Sequence, residues 1–187
     1  MKQWRIPDKT ILRIAISGRS GCGNTTVSRM LSEILGISFI NYTFRSLAQE
    51  TGIPLPEIIE RAKTDDSFDR TVDKRQVEMA MAGSCVLGSR LAIWMLKESD
   101  FKIFLTASPH LRAQRIQKRE GGNLQEIMDF TAMRDSEDTN RYRQLYGIDN
   151  TDYAFADLVI DTEEMNPEQI IDLILSTLEQ KGLVYCA

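Results

Sequence analysis

Residues 11–26 constrain this chain more than any other stretch. The run Ile11-Leu12-Arg13-Ile14-Ala15-Ile16 reads as a buried strand, and Ser17-Gly18-Arg19-Ser20-Gly21-Cys22-Gly23-Asn24-Thr25-Thr26 follows it as a glycine-rich loop that opens a helix. The order matches the phosphate-cradling pattern G-x-x-x-x-G-K-[ST], with asparagine in the lysine position. Glycines at 18, 21 and 23 permit backbone angles that turn several N–H groups toward one anion at a helix N-terminus. The segment therefore implies a nucleoside triphosphate as ligand, with the Thr25 hydroxyl at the position that meets Mg²⁺. Asn24 removes the cation that ordinarily reaches the β- and γ-phosphates. Arg19 is the nearest replacement in sequence, since a guanidinium fork matches phosphate oxygens; the alternative is a solvated loop arginine.

Downstream, short apolar runs alternate with longer amphipathic segments, the pattern of β-α units closing a mostly parallel sheet. Strands are predicted near 11–17, 37–40, 84–88, 101–106 and 157–161. Helices are predicted near 24–35, 43–51, 55–63, 67–82, 109–120, 123–145 and 167–181. Ser108-Pro109 and Asn166-Pro167 each set a capping side chain before a proline in the first helical turn, and Gly36, Gly52 and Gly83 follow helices as stops. Two stretches break the alternation: an all-helical insertion over 41–82, and a charged helical pair over 112–146 joined at Gly121-Gly122-Asn123. No linker or repeat divides the 187 residues, which fit one domain.

Composition excludes several classes. With 23 Lys and Arg against 27 Asp and Glu, the net charge of −4 argues against a dedicated nucleic-acid binder. Cys22, Cys85 and Cys186 are odd in number and far apart, which excludes a disulfide scaffold and fits a reducing, cytoplasmic setting. No segment approaches ~20 uninterrupted apolar residues, so no membrane span is expected. His110 is the only histidine and sits at a helix start, leaving no histidine triad or histidine-rich metal site. Asp65-Asp66 and Glu163-Glu164 fall in predicted turns, where helix-initiating acids are the simpler reading.

The strand Ser84-Cys85-Val86-Leu87 leads into Gly88-Ser89-Arg90, which places Arg90 at the carboxyl edge of the sheet, where ligands collect in open α/β folds. With that segment and Gly18 through Thr26, several others complete a pattern: Phe44-Arg45, Asp69-x-x-x-Asp73-Lys74-Arg75-Gln76, Ser89-Arg90-Leu91-Ala92-x-Trp94, Arg115-Ile116-x-x-Arg119-Glu120, Arg134-x-x-Glu137-x-x-x-Arg141-Tyr142, Tyr146-Gly147-Ile148-Asp149 and Asp157-Leu158-Val159-Ile160-Asp161-Thr162. In order and spacing this resembles the cytidylate kinases, in particular their short archaeal-type branch, over almost the whole chain.

The resemblance implies an α/β P-loop NTPase fold, a five-stranded parallel sheet flanked by helices, with a mobile monophosphate-binding insertion and a mobile lid. It implies ATP and Mg²⁺ as cofactors and CMP or dCMP as acceptor. Position by position, Gly18, Ser20, Gly21, Cys22, Gly23, Asn24, Thr25 and Thr26 would hold the ATP phosphates. Arg45 and Arg90 would grip the acceptor phosphate, and Asp73 and Gln76 would read the cytosine edge. Arg115 and Arg119 would cover adenine and phosphates, and Arg134 and Arg141, with Arg19, would converge on the transferring group. Helix-surface salt bridges to Glu137 or Asp138 are the competing explanation for Arg134 and Arg141.

Three positions depart from the family pattern. Asn24 stands for lysine, Gly88 for an acidic residue, and Asn41-Tyr42-Thr43-Phe44-Arg45 is a shortened acceptor segment. Two other readings therefore remain beside (d)CMP kinase: a nucleotide-binding module of the same fold with a regulatory role, and a P-loop kinase for another small acceptor. The expected partners are small-molecule nucleotides, with no nucleic acid or membrane, on a monomer.

Overall fold

The computed structural model describes residues 3–187. In chain order the elements are β1 (Trp4–Arg5), β2 (Arg13–Gly18), α1 (Asn24–Leu35), β3 (Ser38–Ile40), α2 (Phe44–Thr51), α3 (Leu55–Arg61), α4 (Ser67–Met81), β4 (Cys85–Gly88), α5 (Ala92–Met95), β5 (Phe101–Thr106), α6 (Pro109–Glu120), α7 (Leu124–Tyr146), β6 (Leu158–Asp161), α8 (Pro167–Gln180) and β7 (Tyr185–Cys186). Five strands form a parallel sheet in the order β3-β4-β2-β5-β6. This is the expected P-loop architecture. β1 and β7 pair antiparallel outside it, Trp4 opposite Cys186 and Arg5 opposite Tyr185.

β2 lies at the centre, with Ile14 opposite Val86 on one side and Phe101 on the other. Both its faces are covered, which is why it is an apolar run and not an alternating one. Ile14 and Ile16 join Val27, Leu31, Ile171 and Ile174 of α1 and α8 in one core, whereas Ala15 faces Ala92, Ile93 and Phe104 in another. A third, separate cluster of Tyr42, Leu47, Ile58 and Val72 lies within the segment from residue 42 through α4. The insertion thus carries a small core of its own.

The caps follow the sequence closely. Ser108 accepts from Leu111 N–H, and Asn166 exchanges bonds with Gln169 in a capping box. Gly36 and Gly52 end α1 and α2 in the left-handed region. Gly83 does not act that way: α4 ends at Ala82 in right-handed geometry. Between α6 and α7, Gly121 and Gly122 both have positive φ, and Asn123 caps α7 by accepting from the N–H groups of Gln125 and Glu126. No helix among the described residues is long and apolar enough to cross a membrane.

Candidate functional site

The parallel strands deliver two loops to one edge of the sheet. The β2–α1 loop and the Ser89-Arg90 segment after β4 both line a cavity of about 470 Å³, closed on its far side by Met165, Pro167 and Ile170. Those three apolar side chains suit a flat ring, and the rest of the lining is glycine-rich loop with polar and arginine side chains.

The glycines there answer to different demands. A Cβ on Gly18 would stand 2.9 Å from the Leu105 carbonyl oxygen, so its absence lets β2 and β5 close up. Gly21 (φ 87°) packs against the backbone of Arg112, whereas Gly23 (φ 94°) faces open space and serves by conformation alone. Two arginines of α6 hold the loop from below. Arg112, only 3 % exposed, donates to the Ser20 carbonyl at 3.1 Å and pairs with Asp135 at 2.6 Å. Arg115 donates to Thr162 Oγ1 at 2.9 Å, the Thr162 carbonyl at 2.7 Å and the Gly21 carbonyl at 3.4 Å. With loop carbonyls drawn to these guanidinium groups, the first-turn N–H groups of α1 are left for an anion. Cys22 is buried, and burial pushes its thiol up, so it is packing and not a reactive group.

Asn24 lines the cavity, but its side-chain amide is engaged within the protein. Its Nδ2 donates to the Ser89 carbonyl at 3.2 Å, and its Oδ1 accepts from Ser28 Oγ at 3.0 Å. A Cβ at Gly88 would lie 2.5 Å from Ser28 Oγ and 3.2 Å from Asn24 Oδ1. The side chains of Thr25 and Thr26 are exposed on the cavity. Thr25 offers a single hydroxyl oxygen there, so a magnesium ion held by it would need ligand phosphates as its other partners. No group of three or more acidic, histidine or cysteine side chains among the described residues would hold a metal alone.

The remaining arginines are distributed around α7. Arg19 lines the cavity and lies 3.6 Å from Asp135. Arg90 donates to Asp138 at 2.6 Å, beside Tyr142, whose phenol is pushed up to about 12 by burial and then by the Asp138 charge. Asp138, named from sequence as a partner for Arg134 or Arg141, thus serves Arg90. Burial raises the Asp138 carboxyl, with Arg90 and Arg134 opposing the shift. Arg134 has no carboxylate within 4 Å among the described residues and shares a second cleft of about 220 Å³ with Arg119 and Ser20. Burial and the neighbouring Arg90 lower its guanidinium. Arg119, which also borders the main cavity, bonds to Glu120. Arg141 points elsewhere. It pairs with Asp69 and donates to the Ala62 carbonyl at 3.0 Å, tying α7 to α4 and to the end of α3, with its Nε buried and unpartnered.

On α4, Asp73 accepts from Tyr146 Oη at 2.7 Å and from Gln76 Nε2 at 3.4 Å. Burial pushes the Asp73 carboxyl up to about 6 against the Tyr146 bond. Gln76 is 4 % exposed, and its Oε1 has no partner. Arg45 is exposed on α2, without a carboxylate within 4 Å among the described residues. The structure therefore gathers residues 19–26, Arg90, Arg115 and Arg119 around one cavity, with Gly18 just behind it at the strand end, and joins Asp73 to Gln76. It leaves Arg45, Asp73, Gln76, Arg134 and Arg141 outside that cavity. Sequence reasoning missed Arg112 and Asp135. Arg112 shares the inward face of α6 with Ala113 and Ile116, and a charged residue on an apolar stripe is the signal that could have found it.

Comparison with known proteins agrees with this geometry. The family model described as the cytidylate kinase-like family matches residues 13–164. Cytidylate kinase 2 of Borreliella afzelii is 43 % identical over 176 residues, covering 92 % of this chain and 99 % of that protein. Cytidylate kinase of Pyrococcus horikoshii is 38 % identical over 173 residues, covering 91 % and 90 %. Among solved structures, an uncharacterized protein from Eubacterium ventriosum superposes with a TM-score of 0.68 at 16 % identity, covering 91 % of this chain and 99 % of that one. Shikimate kinase from Acinetobacter baumannii, in complex with shikimate, superposes at 0.63 and 19 %, covering 94 % and 97 %. These structural likenesses concern the fold, and the sequence relatives carry the assignment: the chain belongs to the cytidylate kinase-like family.

Proposed function

We propose that the chain transfers the γ-phosphoryl group of ATP to CMP or dCMP, giving ADP and the corresponding diphosphate. The observation that supports this reading is the cavity shared by the phosphate loop and Arg90, where a donor site and an acceptor-phosphate site would lie side by side. An acceptor phosphate oxygen attacks the γ-phosphorus in line, the bond to the β–γ bridging oxygen breaks, and no enzyme-bound intermediate forms. The loop N–H groups hold the donor phosphates, and the Met165–Pro167–Ile170 wall takes the adenine. Mg²⁺ at Thr25 would supply charge neutralisation. Arg90 holds the acceptor phosphate once Asp138 is displaced, with Arg45 brought in by the insertion about residues 41–82. Arg19 and Arg134 face the transferring group, Arg115 and Arg119 belong to the lid about residues 112–146, and Arg141 joins after leaving Asp69. Asp73 and the Gln76 amide, whose Oε1 is free to accept, read the cytosine edge, because a pocket built to hydrogen-bond one base rejects another that leaves its polar groups unpaired.

The Asn24–Gly88 departure favours a second reading, a nucleotide-binding module that does not turn over. A coupled assay with ATP, Mg²⁺ and a panel of monophosphates separates the two. CMP or dCMP is expected to outrun AMP and GMP. Equal turnover of AMP and CMP would remove the base assignment, and ATP binding without turnover of any monophosphate would establish the module.

A further inference from the structure

We infer that Asn24 is a positioning residue that couples the phosphate loop to the acceptor arginine through the carbonyl of Ser89, an inference that rests on the kinase reading above. The Ser89 oxygen receives two donors from the strand-loop-helix segment, Ser17 Oγ at 3.0 Å and Asn24 Nδ2 at 3.2 Å. Ser17 Oγ itself accepts from Ile93 N–H at 3.1 Å, and Ser89 N–H donates to the Ile16 carbonyl at 3.2 Å. The residue before Arg90 is thereby pinned at both its backbone groups. Ser28, fully buried, fixes the Asn24 amide by donating to Oδ1, so that Nδ2 faces Ser89.

Gly88 belongs to the same unit. Any side chain there would begin 2.5 Å from Ser28 Oγ and 2.8 Å from Ser28 Cβ. An acidic residue at 88 and the serine at 28 exclude each other. A lysine at 24 offers no acceptor to Ser28. The two departures from the family pattern are one structural exchange, in which two charged positions give way to a neutral, directional bond between the donor loop and the acceptor segment. Its consequence is that acceptor binding depends on Asn24 although Asn24 carries no charge.

The test uses Asn24→Ala, Ser28→Ala and the double variant of the full chain, with three measurements. These are amide hydrogen exchange of the fragment over residues 88–94, ADP affinity by calorimetry, and the steady-state constants for CMP. Loss of the bond should speed exchange of that fragment by about tenfold in Asn24→Ala and raise the KM for CMP by a similar factor, with ADP affinity held within about twofold. Ser28→Ala should produce a smaller effect alone and none in the Asn24→Ala background, because Ser28 acts only through the amide. A merely structural Asn24 would lower the unfolding midpoint and leave the KM for CMP unmoved, which overturns the inference. Unchanged exchange overturns it too, as does a fall in ADP affinity with KM for CMP preserved, which would put Asn24 on the donor phosphates. If the wild-type chain phosphorylates no monophosphate, the proposed activity fails separately, and exchange still decides whether the tether exists.

Discussion

Replacing Gly21 by alanine tests how the phosphate loop is seated on α6. The residue has φ 87°, and an L side chain held in the left-handed region costs roughly 1–2 kcal/mol. The added Cβ would also lie 2.7 Å from the carbonyl oxygen of Arg112, 2.8 Å from its Cβ and 2.9 Å from its Cα. None of these atoms is the end of a flexible chain, so α6 has to move, carrying the Arg112 bonds to Ser20 and Asp135 with it. Overpacking of this kind adds about 1–3 kcal/mol, for a total of about 2–5 kcal/mol. Gly23 is the internal control, with φ 94° but nothing within 4 Å of an added Cβ. Gly23→Ala should therefore cost only about 1–2 kcal/mol. Urea unfolding of both variants and the wild type gives the difference directly. Equal losses would refute the reasoning, since the steric contact with α6 would then contribute nothing.

Asp73 gives a pH-dependent expectation. Its carboxyl rises from 3.8 to about 6 on folding, so the folded chain binds more protons between these values and stability falls as pH rises through them. Asp73→Asn, which keeps an acceptor for Tyr146, should be more stable than wild type well above pH 6 and lose that advantage below the unfolded value; a pH-independent offset in urea midpoints would contradict it. Arg112→Met leaves Asp135 with only the looser Arg19 contact and should cost about 3–5 kcal/mol, most of it recovered when Asp135→Leu is added, as measured by the same unfolding curves. Arg45→Ala and Arg90→Ala should each raise the KM for CMP by about 10–100-fold while ATP affinity stays nearly constant. Collapse of ATP binding in a folded Arg90→Ala chain would assign Arg90 to the donor instead.

Most of the fold was legible because its elements carry local signals. The buried run before Gly18 and the capped, proline-started helices at Pro109 and Pro167 fell within a residue or two of their observed bounds, and two helices, Asn24–Leu35 and Pro109–Glu120, matched them. The β1–β7 pair was not legible, since two residues a side show no periodicity. Nor was α5, a single turn of four residues. At the site, the glycine loop and Arg90 follow from strand ends, which sequence locates well. The destinations of long side chains do not follow. Helical spacing puts Arg134 and Arg141 on one face of α7, yet one lines a cleft by Ser20 while the other reaches Asp69, because the choice depends on which carboxylates neighbouring elements bring near. The meaning of Asn24 was hidden for a related reason: Ser28 lies one helical turn on and was within reach of the sequence, but Ser89 becomes its partner only through the packing of α1 against β4.

Three guanidinium groups around α7 already face carboxylates of the chain itself: Arg90 meets Asp138, Arg141 meets Asp69, and Arg112 meets Asp135. On the proposal that Arg90 takes the acceptor phosphate, the arriving group would compete with a tethered acid, and its affinity would be the difference between two ion pairs. Such an exchange sets a threshold. A dianion with three oxygens would displace one carboxylate more readily than a singly charged ion would, so the resident acid would select for charge before any base is read.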